Sequence, residues 1–94
     1  MTDIRAILAL EPLPFTWKGQ TLKIKRPSLC DLVDAHNANE KGASHSRAWA
    51  IARHLLDDSG APLFASPEDA MRCPLDLALH ANGLIERLYS EGSD

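Results

Sequence analysis

Four histidines (His36, His45, His54 and His80) and two cysteines (Cys30 and Cys73) carry this sequence's metal-binding and nucleophilic chemistry. His54 precedes Asp57 and Asp58 at helical reach, the spacing at which a carboxylate orients an imidazole as a general base. No nucleophile or second acid stands near it, so the expectation is a solvated helix face. His36 falls within an apolar face and reads as a hydrogen-bonded or rim histidine. His45 and His80 have no partner at ligand spacing, and neither cysteine belongs to a CxxC or Cys/His pair. Cys30 and His36 fall about 240° apart on a helix, too far for a dyad. A glycine-rich phosphate loop and a GxSxG elbow are also missing. The chain is therefore expected to be no enzyme, with no catalytic residues, metal or cofactor.

Binding chemistry is the better prospect. Lys18, Lys23, Lys25 and Arg26 form a small basic patch. Without interleaved exposed aromatics it reads as a solvated edge that discourages strand pairing rather than a nucleic-acid surface. The net charge of −3 argues the same way. The charge is uneven: residues 1–53 carry eight Lys/Arg and five Asp/Glu, residues 54–94 two and eight.

Ninety-four residues allow a single domain, 1–94, whose small core gains from a partner. Two cysteines cannot build a disulfide framework, and a reduced, cytosolic setting is expected. The apolar run from Ile4 to Leu10 is too short for a signal peptide, and no stretch reaches the roughly 20 apolar residues of a membrane span.

The expected fold class is α+β, mainly α, with one N-terminal β-hairpin packed on three to five short helices. Thr2 or Asp3 caps a short helix carrying Ile4, Ile7 and Leu8, ended by Pro12 and Pro14. Residues 14–25 read as the hairpin. A type II′ turn at Gly19-Gln20 would pair Trp17 with Leu22 and Phe15 with Ile24, all on one face. Ser28, with Asp31 three residues on, opens a helix over 28–38. Its expected buried face is Leu29, Leu32, Val33 and His36, with Asp31 and Asp34 pointing away. A polar loop at 37–44 leads to a central helix over 44–57. There Ala48, Trp49, Ala52, Leu55 and Leu56 form the core stripe, opposite Arg47, Arg53 and His54. Gly60 ends that helix, and Leu63-Phe64 plug back toward the stripe. Ser66 and Pro67 start a brief helix over 67–72. Pro74 opens the last one, over 74–89, with Leu77, Ala81, Leu84, Ile85 and Leu88 inward, followed by a frayed acidic tail over 90–94. Leu75 and Leu79 fall nearly opposite that stripe and Tyr89 lies off it. From residue chemistry alone, this is a small non-enzymatic interaction domain.

The runs Leu22-Lys23-Ile24-Lys25-Arg26-Pro27-Ser28 with Asp31-Leu32-Val33, Ala48 to Leu56, and Leu56 to Phe64 with Ser66-Pro67-Glu68-Asp69-Ala70 carry a family resemblance. Over roughly residues 14 to 90 the chain resembles the tail assembly chaperones of long-tailed bacteriophages and prophages. The resemblance implies a small, acidic, mainly helical protein of the bacterial host's cytoplasm. It would bind the tape-measure protein, keep it soluble, promote tail-tube assembly around it, and be absent from the finished virion. Contact with the tail-tube protein would be direct or through a frameshifted longer form, this chain matching the short product. Self-association is compatible with such a role. The partner-binding residues expected are Leu75, Leu79, Leu84, Leu88 and Tyr89, supported by Trp49 and Phe64. Two alternatives differ in class: a bacterial protein-binding adaptor or regulator, and a weak nucleic-acid binder working through the basic hairpin.

Overall fold

Alternating apolar residues around Lys18-Gly19 bring two strands together, β1 (Leu13–Trp17) and β2 (Gln20–Ile24), in a computed structural model that describes residues 11–92. The remaining elements are α1 (Leu29–Asn39), α2 (Ala43–His54), β3 (Leu55–Leu56), α3 (Pro67–Ala70) and α4 (Leu75–Gly92). The fold is α+β and mainly α: among the described residues, a three-stranded antiparallel sheet, ordered β1-β2-β3, lies against four helices. The short helix expected from Thr2 or Asp3 lies outside the described residues.

The hairpin turns one residue earlier than the sequence reading placed it. Trp17 pairs with Gln20, Phe15 with Leu22 and Leu13 with Ile24, leaving Lys18-Gly19 as the two-residue loop. Both loop residues have positive φ, 48° and 77°, which is a type I′ turn. Moving a partner by two positions keeps every side chain on its face, so alternation alone could not separate the two registers. The type I′ turn matches the right-handed strand twist, even with a lysine in the left-handed region.

Trp17 and Gln20 flank the turn as a hydrogen-bonded pair, so Pro14, opposite Lys23, sits at a non-hydrogen-bonded position. Its missing N–H therefore faces outward and blunts the sheet's free edge.

The sheet's inner face places Leu22, Ile24 and Leu55 against Ile51 and Ala48 of α2 and Leu77, Ala81, Ile85 and Leu88 of α4. Full burial of each large aliphatic residue stabilises the domain by about 1.5–3 kcal/mol. The β1 strand runs beside α4, with Trp17 Nε1 donating to Asp76 Oδ2 at 3.3 Å and Phe15 5.4 Å from His80. Two strand residues and one helical turn advance by similar distances, about 6.6 and 5.4 Å, so the contacts stay in step.

Three helix ends differ from expectation. The central helix stops at His54, and Leu55-Leu56 pair with Ile24 and Lys23 instead of extending it to 57. The free edge of β2 supplies that competing partner, and Lys25 N donates to His54 O at 2.8 Å. Both leucines are buried either way, which hid the change from the periodicity. Asp57-Asp58-Ser59-Gly60 consequently turns a strand rather than ending a helix. Asp57 Oδ1 accepts from Ser59 N, Ser59 Oγ and Ala61 N, and Gly60 takes φ of 91°. At the other end, Ser90 to Gly92 continue α4 beyond the expected 89, and the rest of the expected tail, 93–94, lies outside the described residues. The helix expected over 67–72 is regular only to Ala70, with Ser66 Oγ accepting from Asp69 N at its start.

Lys18 is the strained residue of the turn, and asparagine tolerates the left-handed region better. Lys18→Asn is expected to raise the unfolding free energy by about 0.5–1 kcal/mol, read as a higher urea midpoint at unchanged slope; an unchanged or lower midpoint argues against the turn assignment.

Candidate protein-binding groove

The first turn of α1 sets the site. Ser28 Oγ accepts from Asp31 N at 3.3 Å while Ser28 N donates to Asp31 Oδ2 at 2.9 Å, the reciprocal capping box its sequence spelled. Asp31 does more than cap. It is only 1% exposed, and its carboxylate accepts two hydrogen bonds from Lys25 Nζ, at 2.9 and 3.1 Å. Arg53 Nη1 lies 3.4 Å from its other oxygen, and the same guanidinium pairs with Asp34. Burial alone would raise the Asp31 carboxyl. The hydrogen bonds from Lys25 and Ser28, with the Lys25 charge, outweigh burial and hold it below its ordinary 3.8.

This anchor reverses the expected face of α1. Turning Asp31 inward puts Ala35 and Ala38 within about 40° of it on the wheel, and Leu29, Leu32, Val33 and His36 on the far side. Leu29 is 77% and Val33 53% exposed, and Leu32 and His36 are also exposed, so the apolar stripe is outside and the carboxylate inside. Small Ala38 is buried on the inner face, where α1 meets α2. A leucine stripe on the surface forgoes the roughly 1.5–3 kcal/mol that each such side chain gains on burial.

Next to that stripe, α1 and α4 both pack on α2 and leave a cleft of about 480 Å³ between them. Leu32, Ala35 and His36 form one wall, Trp49 and Ala50 the floor, and Ile85, Glu86 and Tyr89 the other wall. The aromatic lining is held from beneath by His54, which is 0% exposed rather than solvated as expected. Its Nδ1 is 2.9 Å from Lys25 O and its Nε2 2.8 Å from Tyr89 Oη. A carbonyl can only accept, so Nδ1 carries the proton and Nε2 accepts from the Tyr89 hydroxyl. Trp49 and Tyr89 both meet the imidazole edge-on, at 6.0 and 5.4 Å between ring centres. Burial lowers the His54 pKa below 6.5 despite the bond to Lys25 O and the Asp31 charge. Burial, helped by Asp31, pushes Tyr89 up to about 12.

The seven expected partner-binding residues do not form one surface. Leu75 and Leu79 are 73% and 63% exposed. They share the outer face of α4 with Asn82 and Glu86, which lead into the groove. Trp49 and Tyr89 line the groove itself. Leu88 is buried in the core, Leu84 packs half-buried beside it, and Phe64 fills a separate cleft under the Asp57 loop. The residues the sequence reading missed are Leu29, Leu32 and Val33. The signal was Ala35 and Ala38 on Asp31's side, since two small residues sharing a face mark close helix approach.

The remaining chemistry is ordinary. Burial, then the Asp76 charge, raises the Cys73 thiol, the opposite of an activated nucleophile. Among the described residues no group of three or more His, Cys, Asp or Glu is placed to hold a metal ion. The basic hairpin patch is largely engaged: Lys25 with Asp31, Lys18 with Asp76 and the Trp17 ring, Arg26 Nε with Glu11 O. No described helix is long and apolar enough to cross a membrane. Comparisons with protein-family models, curated proteins and solved structures return no match to this chain.

Asp31→Asn keeps a capping oxygen but loses the charge. Lys25 and Arg53 are both partly exposed and can rehydrate. The expected loss is therefore about 1.5–3 kcal/mol, below the 3–5 kcal/mol of a fully buried pair; a loss under 0.5 kcal/mol in urea unfolding would show the anchor to be incidental.

Acid should act in two stages. The folded His54 pKa lies below the unfolded value of 6.5, so the unfolded chain takes the proton first and stability falls as pH drops below about 6.5. Asp31, depressed below 3.8, contributes stability that is present above that value and lost as pH falls through its folded pKa. Urea midpoints measured from about pH 7.5 to 3 should decline in those two windows, and a flat profile between about 7 and 5 would contradict the buried neutral His54.

Proposed function

We propose that this protein is a tail assembly chaperone of the long-tailed-phage type, which binds an amphipathic helical segment of the tape-measure protein and keeps it soluble. The observation that supports this best is the outward apolar stripe of α1 beside an aromatic-walled groove. A small domain that leaves Leu29, Leu32 and Val33 in water, and adds Leu75 and Leu79 on α4, has greasy surface in excess of its own needs. Two helices flanking a third offer a slot for a further helix, and groove docking reads the i, i+3, i+4 and i+7 anchors of such a ligand.

The segment of α4 that walls the groove, Asn82 to Ser90, spans about 12 Å, so roughly two turns of client helix fit. A tape-measure protein is a long helix with apolar stripes, and covering one stripe at a time prevents its self-association. The acidic half of the chain, residues 54–94, would keep the complex soluble and its copies apart. Promotion of tail-tube assembly and departure before the virion is complete belong to the same proposal. The nucleic-acid alternative draws less support, because Lys25 of the hairpin patch is committed to the buried Asp31 carboxylate.

The test is co-expression with a tape-measure protein of a long-tailed phage. Leu32→Asp and Leu79→Asp, both at exposed positions, should leave the thermal midpoint within the shift of about 0.5 kcal/mol while abolishing client solubilisation. Retained solubilisation in both variants would overturn the proposal, and unfolding of either would mean that its leucine is core.

A further inference from the structure

His54 sits where three parts of the domain meet: the end of β2 through Lys25 O, the last turns of α4 through Tyr89, and α2 through its own backbone. Every polar atom of its ring is committed. We propose that His54 is a proton-operated latch on the groove: neutral, it ties the Tyr89 wall to the sheet; protonated, it releases the final turns of α4 and loosens that wall.

In the neutral ring Nδ1–H donates to Lys25 O and Nε2 accepts from Tyr89 O–H. A second proton turns Nε2 into a donor and the Tyr89 hydroxyl must rotate to accept, so the contact persists only by keeping an imidazolium charge buried. The charged groups facing the imidazole are Lys25 from the end of β2, Asp31 and Asp34 from α1, and Arg53 beside it on α2, with Tyr89 from α4. Two carboxylates already answer two cations there. An imidazolium would be a third positive charge in a site with no exposure, where uncompensated charge is costly. Beyond Leu88 and Tyr89 the end of α4 leaves the core, with Ser90 and Glu91 exposed. Its departure would admit water to the ring and remove one wall of the groove.

The consequence for client binding rests on the function proposed above, but the latch itself is read without any client, so either can fail alone. The experiment is amide hydrogen exchange of the whole chain by NMR at about pH 7.5 and 4.5, corrected for intrinsic rates. In the wild type, protection of residues 86–91 relative to 77–85 should fall about tenfold or more on acidification, the span of one pKa unit. His54→Gln keeps a donor and an acceptor without the titrating proton, and separates His54 from the other three histidines; its ratio should not change with pH. Tyr89→Phe removes the bond, and its ratio should be low at both pH values. An unchanged ratio in the wild type overturns the latch. So does a parallel loss along all of α4, or an acid-dependent fall surviving in either variant.

Discussion

A carboxylate that must stay ionised inside a small domain decides which way α1 faces. Asp31 is buried, and its hydrogen bonds come from Lys25 and Ser28 with Arg53 close by. Removing it from that nest would undo a helix cap and take away the carboxylate that Lys25 and Arg53 share. Burying the leucine stripe instead would require rotating α1 by about half a turn, which takes Asp31 into solvent and Ala38 out of its contact with α2. The structure keeps the polar anchor and leaves the stripe outside. Whatever the domain binds, it binds with surface that this choice made available.

The same anchor reaches the groove from below. Lys25 uses its side chain on Asp31 and its carbonyl on His54, and His54 carries Trp49 and Tyr89, the aromatic floor and wall. Sheet end, helix cap and groove therefore share one polar spine. In a core of few large residues, such a spine fixes relative positions that apolar packing alone would leave adjustable. It also makes the groove answerable to the protonation of a single buried ring.

Much of the architecture was legible because local chemistry dictated it. Ser28 with Asp31, Ser66 with Pro67, and Pro74 mark helix starts where the backbone needs a side-chain acceptor or a preset φ, and the helices begin there. The 77, 81, 85 and 88 stripe of α4 is inward because nothing polar competes for that face. Three features were not legible, each for a reason of its own. The hairpin register hung on a two-residue ambiguity that alternation cannot resolve. Leu55 and Leu56 left the helix because β2 had an unpaired edge, a partner distant in sequence. His54 and the α1 stripe were misplaced because apolar periodicity was weighed without asking where Lys25, Asp31 and Arg53 would meet. Leu75 and Leu79 lie exposed off the core stripe of α4, whereas Leu88, expected on the binding surface, belongs to that stripe.

The claim on which the rest depends is that Asp31 is in and the leucine stripe is out. Methyl NMR with a soluble paramagnetic probe measures it directly on the intact chain. Strong broadening of the Leu29, Leu32 and Val33 methyls, with Ile24, Ile51 and Leu55 untouched, is the result this structure requires. Protection of those α1 methyls equal to that of Ile51 would place the stripe in the core and contradict the account.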